Sequence, residues 1–191
     1  VGSVKGGVVA ELEPLFAKAG AQFIGSHPMA GAEKTGPAAA RAELFEKAVC
    51  VVTPGAKTPA KLAKVMEDFW SAVGGRTLRL TPDQHDALVA RSSHLPHVVA
   101  AELANYVLSP AHPKEQPALC ATGFRDTTRI AAGDPELWRQ ILLDNRHELL
   151  QTLTKFSAIL KHYQVALQRG DATALLQLLE LRAMDFVYQF D

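Results

Sequence analysis

Apolar residues recur at helical spacing through Val8, Val9, Leu12, Leu15 and Phe16, and Gly20 is placed to stop that helix. Pro14 falls inside the stretch and argues against one unbroken helix. Gln22-Phe23-Ile24-Gly25 is a short apolar run that predicts a strand ending at His27-Pro28, and a short helix is expected over Ala38 to Phe45. Ala48-Val49-Cys50-Val51-Val52-Thr53 is rich in β-formers and is stopped by Pro54-Gly55. Thr58-Pro59 then reads as an N-cap and first helical residue, followed by one apolar face made of Leu62, Val65, Met66, Phe69, Trp70 and Val73. Gly74-Gly75 ends it, and Arg76 to Leu80 is a candidate strand. Strands separated by helices predict parallel pairing, so residues 1–80 read as the rear of an α/β sheet.

From Thr81 onward the pattern is nearly all helical. Thr81-Pro82-Asp83-Gln84 has the form of a capping box with Pro at the first helical position. The helix it opens is expected to reach about Leu108, with a kink at Pro96 that frees the carbonyl of Ser92. Ser109 to Gly123 carries Pro110, Pro113 and Pro117 and reads as a loop with at most a short helical turn. Asp134-Pro135 starts a further helix, in which Leu137, Ile141, Leu149, Leu153, Phe156, Leu160, Tyr163 and Leu167 keep a 3.6-residue period with Asn145 as the single polar member. Its expected length of roughly 30 residues is far above the usual 11–12 and calls for a large covering surface, such as a partner subunit. Gly170-Asp171 breaks it, and Ala172 to Phe190, dense in leucine, forms a last helix.

Composition narrows the classes. Of 191 residues, 48% are hydrophobic and 21% charged, which fits a globular chain and excludes a disordered tail or fibre. Lys+Arg and Asp+Glu number 20 each, so broad electrostatic capture of nucleic acid or anionic membrane is not expected. No apolar run is long enough to span a bilayer, and no signal peptide is recognisable. Cys50 and Cys120 are too few for a disulfide framework and fit a reducing compartment, the cytoplasm. The chain starts at Val1 rather than Met, which reads as a sequence whose front part is absent.

Four stretches carry candidate chemistry. In Gly25-Ser26-His27-Pro28-Met29-Ala30-Gly31 a histidine closes a strand, where α/β sheets bind ligands; a turn histidine without a role is the alternative. His94 and His97 in Ser93-His94-Leu95-Pro96-His97 share a helix face. They read as a polar pair facing a cleft, as a solvated pair, or, with His85 and Asp86, as a metal site. In Gly123-Phe124-Arg125-Asp126-Thr127-Thr128-Arg129-Ile130-Ala131 the arginines suit a carboxylate ligand or internal pairing of Arg125 with Asp126 or of Arg129 with Asp134. Gly2-Ser3-Val4-Lys5 is a strand-to-helix turn with a small hydroxyl.

These stretches, taken in order with His85-Asp86, resemble the prephenate dehydrogenase family, which includes arogenate and cyclohexadienyl dehydrogenases, over residues 1 to about 165. The resemblance implies the rear portion of a Rossmann-like, NAD- or NADP-binding domain over 1–80. An all-helical domain for substrate binding and homodimerisation follows over 81–191, the whole being mainly α with an α/β N-terminal part. It implies His27 as catalytic base, Ser3 as its partner at the substrate hydroxyl, and Arg129 as the ligand of a substrate carboxylate. Ser93 and His97 would line the substrate site, Trp138 would reach it from the partner subunit, and Ser3 and Pro28 would lie on the cofactor side. The chain has no Gly-x-Gly-x-x-Gly among its 13 glycines, so the main pyrophosphate fingerprint is absent. Ala32 stands where relatives often carry Ser or Thr, which puts one hydrogen bond and the substrate preference in doubt. The readings set against this one are a metal-dependent hydrolase using His27, His85, Asp86, His94 and His97, and a non-catalytic dimerising fragment.

Overall fold

The computed structural model describes residues 2–30 and 40–180. Gly31 and Ala32, and the part of the last expected helix beyond Glu180, lie outside the described residues. The chain separates into two compact units, one ending at Leu149 and the other beginning at Leu150.

The first unit begins with α1 (Gly6–Lys18), which runs unbroken through Pro14 and ends before Gly20 at φ +71°. Three strands follow: β1 (Gly25–Pro28), β2 (Val49–Thr53) and β3 (Arg76–Arg79), hydrogen-bonded in that order. β1 begins two to three residues later than the apolar run predicted, because it pairs over its polar end, Gly25 opposite Thr53 and His27 opposite Val51. β2 and β3 are parallel, joined across α2 (Ala60–Ala72). β1 and β2, however, are antiparallel, which corrects the expectation of parallel pairing throughout. Direction in a sheet is set by long-range pairing, which strand composition does not encode. Of the helix expected over residues 38–45, residues 38 and 39 lie outside the described residues, and the described part forms a 3₁₀ turn over Ala42–Phe45.

The core of this half is Cys50 and Val52 of β2 with Trp70 of α2, flanked by Ile24, Phe45 and Met66. Ala63, Met66 and Trp70 stand at the i, i+3, i+7 spacing of a single helix face. Of the rest of the apolar face read from the sequence, Leu62 is half-buried and Val65, Phe69 and Val73 are exposed. α2 starts one residue later than its sequence signal, with Pro59 as N-cap. Thr58 instead accepts from the Gly55 N–H (2.8 Å) and donates to Glu13 (2.9 Å), tying α1 to this turn.

α3 (Pro82–Val89) has the full capping box: Gln84 N–H donates to Thr81 Oγ1 at 3.1 Å and Thr81 N–H to the Gln84 side chain at 3.0 Å. One π-helical turn, Ala90–His94, links it to α4 (Leu95–Val107). The distortion expected at Pro96 is thus a widening of the preceding turn, as the missing N–H and the bulk of the ring require. α5 (Thr122–Thr128) takes in Gly123 and the whole Arg125–Thr128 stretch, and a 3₁₀ turn, Arg129–Ala132, packs on α4. The long helix expected from Asp134 is two helices, α6 (Pro135–Asp144) and α7 (Arg146–Arg169). Asp134 caps α6 as expected, accepting the Glu136 and Leu137 N–H groups. The break falls at Asn145, at φ −105° and ψ 23°.

The second unit holds most of α7 together with α8 (Ala172–Glu180). The Tyr163 hydroxyl donates to the Leu178 carbonyl at 3.0 Å, joining the two helices. Many of their apolar residues are exposed, among them Leu150, Ile159, Leu167, Leu176 and Leu179. Among the described residues no helix is long and apolar enough to cross a membrane.

Candidate active site

The site is built where the start of α1, the end of β1 and the α3–π–α4 segment meet. Asp86, on α3, is almost fully buried and reaches back about 80 residues to the start of α1. Its Oδ1 accepts the Lys5 N–H at 2.8 Å and its Oδ2 the Gly6 N–H at 2.7 Å. These N–H groups have no intrahelical partner, and the positive end of the helix dipole favours a carboxylate there. A Cβ on Gly6 would stand 2.9 Å from Asp86 Oδ2, so the close approach requires glycine. Burial pushes the Asp86 carboxyl up, but the bonds from His85, Gly6 and Lys5 outweigh it and hold it below the usual range.

The same Oδ1 stands 2.7 Å from His85 Nδ1, and His85 Nε2 stands 2.8 Å from His27 Nδ1. His85 is fully buried, whereas His27, near the end of β1, is half-buried. Burial, then the neighbouring His85, Lys5 and His94, lower the His27 pKa to about 4 against the opposing pull of Asp86. His27 is therefore neutral at physiological pH, as a general base must be. Lys5 is itself buried, with Nζ donating to the Val4 carbonyl at 3.0 Å. Burial lowers its pKa, with Asp86 opposing.

The π turn turns His94 inward, to 1% exposure. Burial holds its pKa at about 4, with Asp86 opposing. Asn145, at the break between α6 and α7, has one amide nitrogen 2.9 Å from the Asp86 carbonyl and 3.0 Å from His94 Nδ1. An amide NH₂ only donates, so His94 Nδ1 is the acceptor and its proton resides on Nε2. One turn on, His97 stacks on Trp138, centroids 3.5 Å apart and planes within 8°, and Trp138 also meets His94 edge-on. His97 hydrogen-bonds the Ile130 backbone, and its buried Nδ1 has no partner.

The structure therefore brings together His27, His85, Asp86, His94, His97 and Trp138, all named by the sequence. Trp138, expected from a partner subunit, lies against His97 of its own chain. Ser93 is half-buried in the π turn, Ser3 half-buried two residues before Lys5, and Pro28 buried at the end of β1. Arg129 is exposed and opens the turn whose Ile130 meets His97. Lys5 and Asn145 were missed as site residues; the signal for Asn145 was one polar side chain in an otherwise apolar stripe.

One reading is corrected by this geometry. Among the described residues no three His, Cys, Asp or Glu side chains are grouped to hold a metal ion, because the imidazoles bond one another and Asp86 instead. The first N–H groups of α1 are likewise taken, by Asp86.

Known proteins resemble this chain in sequence and fold. Residues 1–79 match the family model for the nucleotide-binding domain of prephenate dehydrogenase, and residues 81–181 that for its dimerisation domain. The cyclohexadienyl dehydrogenase of Zymomonas mobilis is 40% identical over 157 residues, covering 81% of this chain and 54% of the relative. The prephenate dehydrogenase of Bacillus subtilis is 35% identical over 159 residues, 81% of this chain and 42% of the relative. The chain thus spans about half the length of these curated relatives. Among solved structures, Aquifex aeolicus prephenate dehydrogenase in complex with hydroxyphenyl propionate and NAD⁺ superposes with a TM-score of 0.88. It is 33% identical and covers 98% of this chain and 65% of that one. Synechocystis arogenate dehydrogenase gives 0.85 at 29% identity, over 99% of this chain and 68% of its own. On two consecutive family matches and these structural likenesses, the chain belongs to the prephenate dehydrogenase family.

Proposed function

We propose that the protein carries out the oxidative decarboxylation of prephenate to 4-hydroxyphenylpyruvate in tyrosine biosynthesis, with NAD⁺ or NADP⁺ as hydride acceptor. The observation that carries this reading is His27: a half-buried imidazole near the end of β1, kept neutral to about pH 4, bonded to His85 and near His94, which meets Trp138 of the His97–Trp138 stack.

In the proposed reaction the ring hydroxyl gives its proton to His27, the carbon bearing it loses hydride, and the ring carboxylate leaves as CO₂ while the ring becomes aromatic. Aromatisation drives the reaction, so the protein mainly positions and polarises. Ser3 bonds the same hydroxyl; Arg129 binds a substrate carboxylate; Ser93 and His97 line the substrate, with Trp138 fixing the plane of His97. Ser3 and Pro28 form the cofactor side. The unpartnered Nδ1 of His97 supports this role, since a buried polar atom left unpaired in the free protein is satisfied when a ligand arrives.

The domain division is proposed at residues 80/81, with the helical part as a homodimer interface of a cytoplasmic enzyme. The match to a dimerisation domain and the exposed leucines of α7 and α8 support the dimer. Arogenate, which carries an amino group where prephenate has a keto group, is the second substrate to be tested. Steady-state assay of the complete protein with both substrates and both cofactors tests the proposal: turnover of prephenate supports it, and turnover of neither substrate overturns it.

A further inference from the structure

His85 and Asp86 are not needed to touch substrate, yet their bonds form a single directed chain. Oδ1 of Asp86 meets Lys5 N–H at 2.8 Å and His85 Nδ1 at 2.7 Å; Oδ2 meets Gly6 N–H at 2.7 Å. An ionised carboxylate only accepts, so the proton in the bond to His85 sits on Nδ1 of that imidazole. A neutral His85 then keeps its lone pair on Nε2. The group 2.8 Å from that lone pair is His27 Nδ1, which must supply the hydrogen. The other ring nitrogen of His27, Nε2, is left without a proton. We infer that Asp86, acting through His85, fixes the His27 proton on Nδ1 and so presents Nε2 as the proton acceptor of the reaction. The inference rests on the reading of His27 as the base; His85 and Asp86 are positioning residues within it.

The surroundings leave this chain little freedom to reverse. His85 is fully buried and meets the His27 ring edge-on at 5.1 Å. Asp86 is pinned on its carboxylate by two backbone donors at the start of α1 and on its carbonyl by Asn145. Rotating the carboxylate would only exchange one acceptor oxygen for the other. Once Nε2 has taken a proton, the imidazolium of His27 already donates from Nδ1 into a path that ends on an anion. This arrangement orients the base and stabilises the charge it acquires.

The test compares His85→Gln with His85→Leu in the complete enzyme, together with ¹⁵N NMR of histidine-labelled parent protein. The Gln amide oxygen can still accept from His27 Nδ1; Leu cannot. The expected result is a His27 signal protonated at Nδ1 in the parent, a fall in kcat on the order of 10²-fold with unchanged KM for His85→Leu, and recovery of most of that loss in His85→Gln. A parent His27 protonated at Nε2, or a His85→Leu enzyme with parental kcat, overturns the inference. The NMR reading needs neither turnover nor a substituted protein. It therefore decides the tautomer separately from the base assignment itself, which His27→Asn tests.

Discussion

The side-chain nitrogen of Asn145 stands 3.0 Å from Nδ1 of His94 and donates at 2.9 Å to the carbonyl of Asp86, so one buried amide holds the π turn and α3 to the α6–α7 junction. Replacing it leaves the buried Nδ1 of His94 without a donor and takes one of two donors from the Asp86 carbonyl, which keeps the Ala90 N–H. Asn145→Leu should therefore destabilise the first unit by about 1–3 kcal/mol, seen as a lower urea midpoint at unchanged slope. Stability equal to the parent would show that the amide holds nothing in place.

The proposed roles of His27 and Arg129 separate kinetically. In the complete enzyme His27→Asn should lower kcat by about 10²–10⁴-fold with little change in KM, as loss of a general base requires. Arg129→Gln should mainly raise KM, by the equivalent of about 2–5 kcal/mol if the carboxylate it binds stays buried. Equal and mild effects of both substitutions would defeat the assignment.

What the sequence reveals here is what local chemistry decides. The Thr81–Gln84 capping box and the Asp134 cap are satisfied within a few residues, and both form as read. β2 is legible because β-branched residues and a Pro-Gly stop are adjacent in the chain, and β3 because Gly74-Gly75 ends the helix before it. The antiparallel turn of β1 against β2 was not legible, since direction depends on a partner more than twenty residues away. The break at Asn145 was hidden because α6 and α7 are separated by a single residue, so the apolar period runs on across it. In the site, residue type alone singled out His27, His94 and His97. The carboxylate that organises them was read as a metal ligand, because its contacts with Lys5 and Gly6 are made across the whole α/β part.

Acid should loosen the fold in a defined window. His27 and His94 have pKa values of about 4 in the folded chain against 6.5 for a free imidazole, so between those limits the unfolded chain binds up to two more protons. Stability contributed by the neutral imidazoles is fully present above pH 6.5 and is lost as pH falls toward 4, at about 1.4 kcal/mol per pH unit for each proton taken up. Burial lowers His97 in the same direction. Urea unfolding at pH 7.5, 6 and 5 should show this slope, and His27→Asn should remove about one proton from it. A flat profile across the window would mean that these imidazoles titrate as free ones do.

Gly133 supports the aromatic wall through its lack of a side chain. Its backbone, at φ −62° and ψ 154°, suits any residue, so space alone is at issue. A Cβ there would lie 2.5 Å from Nε1 and 2.9 Å from Cδ1 of Trp138, and 3.2 Å from Cε1 of His97. The two contacts with the indole are closer than real contacts allow and the third is tight, so the indole has to slide off the imidazole face on which it is stacked. Gly133→Ala should therefore change the fluorescence of Trp138, read in a Trp70→Phe background that leaves it as the single indole. Overpacking of this kind costs about 1–3 kcal/mol, and the complete enzyme should lose substrate affinity as His97 is released. If the emission and KM of Gly133→Ala matched the parent, the stack would have no part in holding His97.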